Sequence, residues 1–274
     1  MTRYPRLMPT HPRLFTALVT SSVRMSPSFQ RVTIAGDELA SFEWNGFDHW
    51  FRIFLPPAVG APLRLPVVSG RSWWKPYLAI PERERPHCSN YTVADIRAGS
   101  GVAEMDVDVV LHWDASGDIA AGVAGWAVSA EPGSPVGLLD QGPLFDPPDD
   151  MRGVHLVADE SGLPAVRGIL RDLGEHVTGT AIIEVPHADD IEPLAAPAGV
   201  DVVWIARGAG DGSVPGTSAL AALRSRVTPH PHDYAFVVGE STLATEGRRA
   251  LHRAGLPKSR ITFSGFWKHT PHCA

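Results

Sequence analysis

The hydrophobic rhythm of this chain changes near its midpoint, and that change constrains the fold more than any single motif does. From Leu14 to Asp140 the apolar stretches are short, rich in β-branched and aromatic residues, and separated by turn formers. Phe29-Gln30-Arg31-Val32-Thr33-Ile34 ends at Ala35-Gly36-Asp37, and Trp50-Phe51-Arg52-Ile53-Phe54-Leu55 ends at Pro56-Pro57. Met105 to Leu111 alternates apolar with acidic residues before a fully apolar end. Each reads as a β-strand, and such strands at irregular spacing predict an antiparallel barrel or sandwich.

The second half alternates continuous apolar runs with helix-compatible segments. The runs begin at Val154-His155-Leu156-Val157-Ala158 and continue with Thr180 to Val185, Val200 to Ile205, Tyr234 to Val238 and Ile261 to Phe263. Between them, helices are predicted over Leu163 to Leu173, Gly216 to Arg226 and Ser241 to Ala254, where apolar residues such as Leu220, Leu223 and Val227 recur at three- and four-residue spacing. Strands of this kind alternating with helices predict a five-stranded parallel sheet covered on both faces. The Pro/Asp-rich stretch Gly142 to Asp150 marks the boundary, dividing the chain into domains over 1–145 and 146–274. The 26 glycines and 25 prolines imply many turns without reaching low complexity.

Charge and composition exclude several classes of function. A formal charge of −6 supplies no broad cationic face for a phosphate backbone, so nucleic acid is not an expected partner. No apolar run approaches the roughly 18 residues of a membrane span, and the start of the chain, with Arg3, Arg6 and three prolines, does not read as a signal peptide. Cys88 and Cys273 form no CxxC pattern, which argues against a disulfide scaffold and weakly for the cytoplasm. The 12 histidines include His230-Pro231-His232 and His269 with His272, but no HExxH or CxxC accompanies them, so no protein-held metal is expected. Gly-x-Ser-x-Gly is absent, which leaves a serine hydrolase without its nucleophile elbow.

In an open parallel sheet, ligands bind outside the carboxyl ends of the strands. Three junctions there carry chemistry. Asp159-Glu160-Ser161-Gly162 follows the first apolar run and opens a helix, serving either as an anion-binding turn or as an ordinary cap. Gly239-Glu240-Ser241 follows another run; Glu240 can accept hydrogen bonds from a ribose or amide, or the segment can simply cap a helix. Arg207 follows Trp204-Ile205-Ala206 and is either a phosphate ligand or a solvated loop cation. Gly265-Phe266-Trp267-Lys268 follows the last run, either covering a planar cofactor or plugging the core.

Taken in this order and spacing, Asp159 to Ala165, Trp204 to Arg207, Gly239-Glu240-Ser241 with Arg248-Arg249-Ala250-Leu251, and Gly265 to Lys268 resemble the siderophore-interacting protein family. These are ferric-siderophore reductases of the ferredoxin-reductase type. The N-terminal half is similar too, through Val32 to Gly36, Asp106 to His112, Trp126-Ala127 and Pro132-Gly133. The family's flavin motif, Arg-x-Tyr-Thr, is here Ser89-Asn90-Tyr91-Thr92, which keeps the tyrosine and threonine but lacks the arginine near the FAD pyrophosphate. Its Gly-Pro-Ala-Ser type loop is here Ala121-Gly122-Val123-Ala124, before Gly125 and Trp126.

The resemblance implies an FAD-binding β-barrel followed by an NAD(P)H-binding α/β domain. It also implies hydride transfer from NADH or NADPH to FAD and stepwise electron transfer to Fe(III) in a siderophore, releasing Fe(II) in the cytoplasm. Tyr91 stacks on the flavin and Thr92 approaches its N5 edge in this expectation, with Ser89, Asn90, His112, Gly122, Ala124, Gly125 and Trp126 around the cofactor. Arg85 or His112 would replace the missing charge. Asp159, Glu160, Ser161, Arg207, Gly239, Glu240, Ser241, Phe266 and Trp267 would meet the dinucleotide, with Arg207 leaning toward a 2′-phosphate. Arg52 and Lys268 would bind the anionic ferric complex. Ferredoxin is an alternative electron donor. Two other readings are a siderophore-binding or accessory protein with a decayed flavin site, and a flavin reductase using another acceptor.

Overall fold

The computed structural model describes residue 9 and residues 12–98, 102–113, 116–208 and 212–270. By their contacts these fall into two compact units. One holds the described chain up to Asn45 together with His49–Pro143; the other holds Gly46–Asp48 together with the chain from Leu144.

The first unit is built on strands β1 (Leu14–Ser26), β2 (Phe29–Gly36), β3 (Trp50–Leu55), β4 (His87–Thr92), β5 (Asp95–Ala98), β6 (Ala103–Val110) and β7 (Pro135–Gly142). They form one antiparallel sheet in the order β4-β3-β7-β1-β2-β6-β5. β4 also contacts β6, so the sheet curls towards closure. Alternation explains which face is inside: Phe15, Ala17 and Val19 of β1 are buried with Met105, Val107 and Val109 of β6. On the outer face of β6, Asp106 accepts hydrogen bonds from Arg97 and Thr33, and Asp108 holds Arg31 bidentately. Two short helices complete the unit, α1 (Trp74–Ala79) and α2 (Val123–Ser129), the latter setting Val123 and Ala127 into the core.

The second unit is a parallel sheet of β8 (Gly153–Ala158), β9 (Thr178–Val185), β10 (Val200–Ala206), β11 (Asp233–Glu240) and β12 (Ile261–Trp267), in the order β10-β9-β8-β11-β12. Helices α3 (Leu163–Asp172), α4 (Thr217–Arg226) and α5 (Ser241–Arg253) cover it. Every residue of β8 and β11 is buried, which is why these two strands read as continuous apolar runs. The antiparallel and parallel sheets are those the change of rhythm predicts. Among the described residues no helix is long and apolar enough to cross a membrane.

Three residues from the first half belong to this second unit. Phe47, at φ 50°, donates its N–H to Asp172 of α3 at 2.5 Å and stacks on Phe145 at 5.4 Å. Asp48 accepts the amides of Leu144 and Phe145. Gly168 of α3 leaves room for the Phe47 carbonyl, which would lie 2.0 Å from any Cβ there. A non-glycine residue at positive φ costs roughly 1–3 kcal/mol, and these contacts hold it in place.

Candidate functional site

β4 is an edge strand paired within the sheet only with β3. Residues directly opposite in an antiparallel pair share a face. His87, Ser89 and Tyr91 oppose Leu55, Ile53 and Phe51, so they point to the core side; Cys88, Asn90 and Thr92 oppose Phe54, Arg52 and Trp50 on the other. Tyr91 packs against the core, and burial pushes its phenol far above the ordinary value, so the ring stays neutral. His87, Ser89, Tyr91 and Thr92 make no side-chain hydrogen bond among the described residues. The hydroxyls of Tyr91 and Thr92 are not sealed from solvent. These polar atoms are therefore open to solvent or to a ligand along an edge strand, His87 being exposed and Ser89 and Tyr91 half-buried.

Gly122, just before α2, adopts φ 89°, and a Cβ there would meet only the Cε1 of His87, at 3.9 Å. Ala124 is buried, Gly125 and Trp126 are half-buried, and Trp126 packs on the core. The Trp126 amide donates to the Gly122 carbonyl and the Gly125 amide to Ala120. His112 lies exposed beyond β6, its carbonyl accepting the Ala120 amide. The other expected charge substitute, Arg85, is already engaged: it donates to the Leu78 and Ile80 carbonyls and lies over Tyr77. Arg52 sits 4.6 Å over Trp73 and 5.4 Å over Trp50 and donates to Asn90 Oδ1 at 2.9 Å. Burial pushes the neighbouring Cys88 thiol up, although Arg52 pulls against it, so Cys88 is a poor nucleophile.

The carboxyl ends of the parallel strands gather a second cluster with the opposite character. Arg207, beyond β10, donates to both Glu160 oxygens at 2.8 and 2.9 Å and to Glu184, at the end of β9, at 2.9 Å. Glu184 is fully buried and also accepts the Gly216 and Ala219 amides at the start of α4. Asp159 accepts the Ser161 amide and hydroxyl, the Glu240 amide and the Trp267 indole N–H. Burial first, then repulsion from Glu160, raises its pKa to about 6. Glu240 caps α5 at the Thr242 amide and accepts the His269 amide; Ser241 donates to the Trp267 carbonyl.

The Arg207 guanidinium, 8% exposed, is paired with the Glu160 and Glu184 carboxylates. Asp159, Glu160 and Glu240 are buried, and their carboxylates hold amides and side chains at the neighbouring strand ends. Gly239, at φ 126°, is glycine because a Cβ would strike the Asp159 carboxylate. Phe266 and Trp267 continue β12 rather than plugging the core: Phe266 is exposed, Trp267 is half-buried, and Lys268 is exposed beyond them.

Residues 18–144 match the family described as the siderophore-interacting FAD-binding domain, and residues 151–270 match the family described as siderophore-interacting protein. The chain belongs to the siderophore-interacting protein family. It is similar to the ferric vibriobactin reductase ViuB of Vibrio cholerae serotype O1, 28% identical over 89% of this chain and 85% of that one. It is also similar to the NADPH-dependent ferric-chelate reductase of Escherichia coli K12, at 25% identity over 97% of both. Among solved structures, a siderophore utilization protein from T. fusca superposes with a TM-score of 0.79 at 27% identity, covering 96% of this chain and 95% of that one.

This member of the siderophore-interacting family thus carries an FAD-binding unit, and the residues present fit the cofactor. On β4 the Ser89 and Tyr91 side chains have no hydrogen-bond partner among the described residues, and the positive-φ Gly122 leaves space beside the His87 ring. Two residues were not singled out from the sequence. His87 lies two positions before Ser89, so strand alternation alone would have placed it on the Tyr91 face. Glu184 ends an apolar run, the one charge in Thr180 to Val185.

Proposed function

We propose that this chain reduces a ferric siderophore with electrons from NADH or NADPH passed through FAD, releasing Fe(II) in the cytoplasm. The observation that carries this reading is the Ser89, Tyr91 and Thr92 side chains, without hydrogen-bond partners among the described residues, within a matched FAD-binding unit, in a chain whose relatives across nearly its full length include named ferric reductases. FAD, when bound, supplies the step from a two-electron hydride donor to a one-electron acceptor. Tyr91 offers a neutral aromatic face to the ring, and Thr92 offers a free hydroxyl at the end of the same strand. Asn90 holds the Arg52 guanidinium between Trp50 and Trp73, which fixes a cation for an anionic ferric complex; Lys268 adds an exposed one. The Asp159 and Arg207 clusters hold the strand ends in register, so the dinucleotide meets exposed groups there, Phe266 among them, rather than the buried carboxylates.

An anaerobic ultraviolet–visible titration tests this. Protein reconstituted with FAD should bleach on addition of NADPH or NADH and regain its yellow colour on addition of a ferric siderophore, with Fe(II) appearing in a chelator trap. The loss of the arginine at Ser89 favours a second reading, a siderophore binder without a working flavin site. A protein that stays colourless with excess FAD yet binds the ferric complex supports that reading. Flavin that bleaches only with reduced ferredoxin assigns the donor to a partner protein, and reoxidation by quinone but not by the ferric complex assigns another acceptor.

A further inference from the structure

FAD carries a diphosphate, and a site for it needs donors. The arginine that would serve is absent at Ser89, and the arginines near β4 are engaged elsewhere, Arg52 by Asn90 and its two indoles, Arg85 by backbone carbonyls. We propose that His87 is the side-chain hydrogen-bond donor to the FAD diphosphate in this chain. The inference rests on the flavin reading above and assigns to that site a residue outside the family motif.

Three observations converge on His87. It shares the core-side face of β4 with Ser89 and Tyr91, four residues from the tyrosine. At about 3.3 Å per residue this is ~13 Å along the strand, enough to carry a cofactor from its ring to its phosphates. The ring lies 3.9 Å from the Cβ position of Gly122, in the segment that resembles the family's pyrophosphate loop. Its nitrogens make no hydrogen bond or ion pair among the described residues. His87 is exposed, so its nitrogens are open to a ligand, and desolvation by the neighbouring chain lowers its pKa, which favours a neutral imidazole with one N–H to donate. Of the substitutes expected from the sequence, Arg85 is engaged by backbone carbonyls, and His112 is exposed beyond β6 with its carbonyl on the Ala120 amide.

Flavin fluorescence titrations of the full chain with FAD and with riboflavin, which lacks phosphate, test the assignment. His87→Ala should weaken FAD about tenfold and leave riboflavin unchanged, while His87→Gln, which keeps a donor, should recover part of the loss. Ser89→Arg should tighten FAD and make a second substitution at His87 nearly silent, since one donor then replaces the other. Unchanged FAD affinity in His87→Ala overturns the assignment, as does an equal loss for FAD and riboflavin, which marks a packing role. A wild-type protein that takes up neither flavin overturns the flavin reading itself, a result distinct from either.

Discussion

The row on β4 and the cluster at the carboxyl ends of β8 to β12 are both polar and both resemble family motifs, yet they are built in opposite ways. On β4 the side chains of Ser89, Tyr91 and Thr92 have no partners among the described residues, and the backbone around Gly122 is open. At the strand ends, Asp159, Glu160, Glu184, Arg207 and Glu240 satisfy one another and the helix-start amides. A motif can mark a ligand site or the scaffold beside one; the count of unmet hydrogen bonds distinguishes them.

The largest expected effect breaks the scaffold side of this comparison. Arg207→Ala leaves Glu184 buried with only the Gly216 and Ala219 amides and no counter-charge, and should cost about 3 kcal/mol in urea unfolding. If stability is unchanged while NADPH affinity falls, Arg207 belongs with the ligand sites after all. The Asp159 carboxyl gives a pH signature of the same scaffold. Its folded pKa of about 6 lies above the ordinary 3.8, so the folded state holds the proton more tightly. Its contribution to stability is therefore present at low pH and declines as pH rises from about 4 to 6. Unfolding midpoints taken across that range should lose this slope in Asp159→Asn, and a wild-type curve that climbs more steeply than the variant's there contradicts the assignment.

Thr92→Val sharpens the ligand side. It removes a hydroxyl that makes no hydrogen bond among the described residues, so stability should move by less than about 0.5 kcal/mol. Stopped-flow flavin reduction should slow about tenfold; an unaffected rate would detach Thr92 from the chemistry. The smallest effect is expected from Lys268→Ala. An exposed cation steers an anion, so the KM for the ferric complex should rise about two- to threefold at low salt, with the difference vanishing at high ionic strength. A change that survives high salt would make Lys268 a direct contact.

Much of the fold was legible because buried parallel strands and amphipathic helices write strong periodicities. Helices α3, α4 and α5 end within two residues of their predicted bounds, and Leu220 and Leu223 face the core as their spacing requires. Helices α1 and α2 were not legible: at six and seven residues they span fewer than two full turns, and neither has a side-chain cap. The passage of Gly46–Asp48 into the second unit was also hidden, since Asp172 and Phe145, which hold it, lie about a hundred residues away. For the site, Tyr91 and Thr92 were legible as a motif, whereas the partners of Arg207 depend on which strand ends lie side by side.

The amino-acid sequence alone determined the two sheet types, because side-chain periodicity is a local property and burial on one face or both is written in it. It also carried the family, through the order of short motifs along the chain. Tertiary structure alone decided which of the described polar residues already have a partner within the fold. Hydrogen bonding and desolvation act over a few ångströms in space, and neighbours such as His87 and Gly122 or Arg207 and Glu160 are brought together only by the folded sheets.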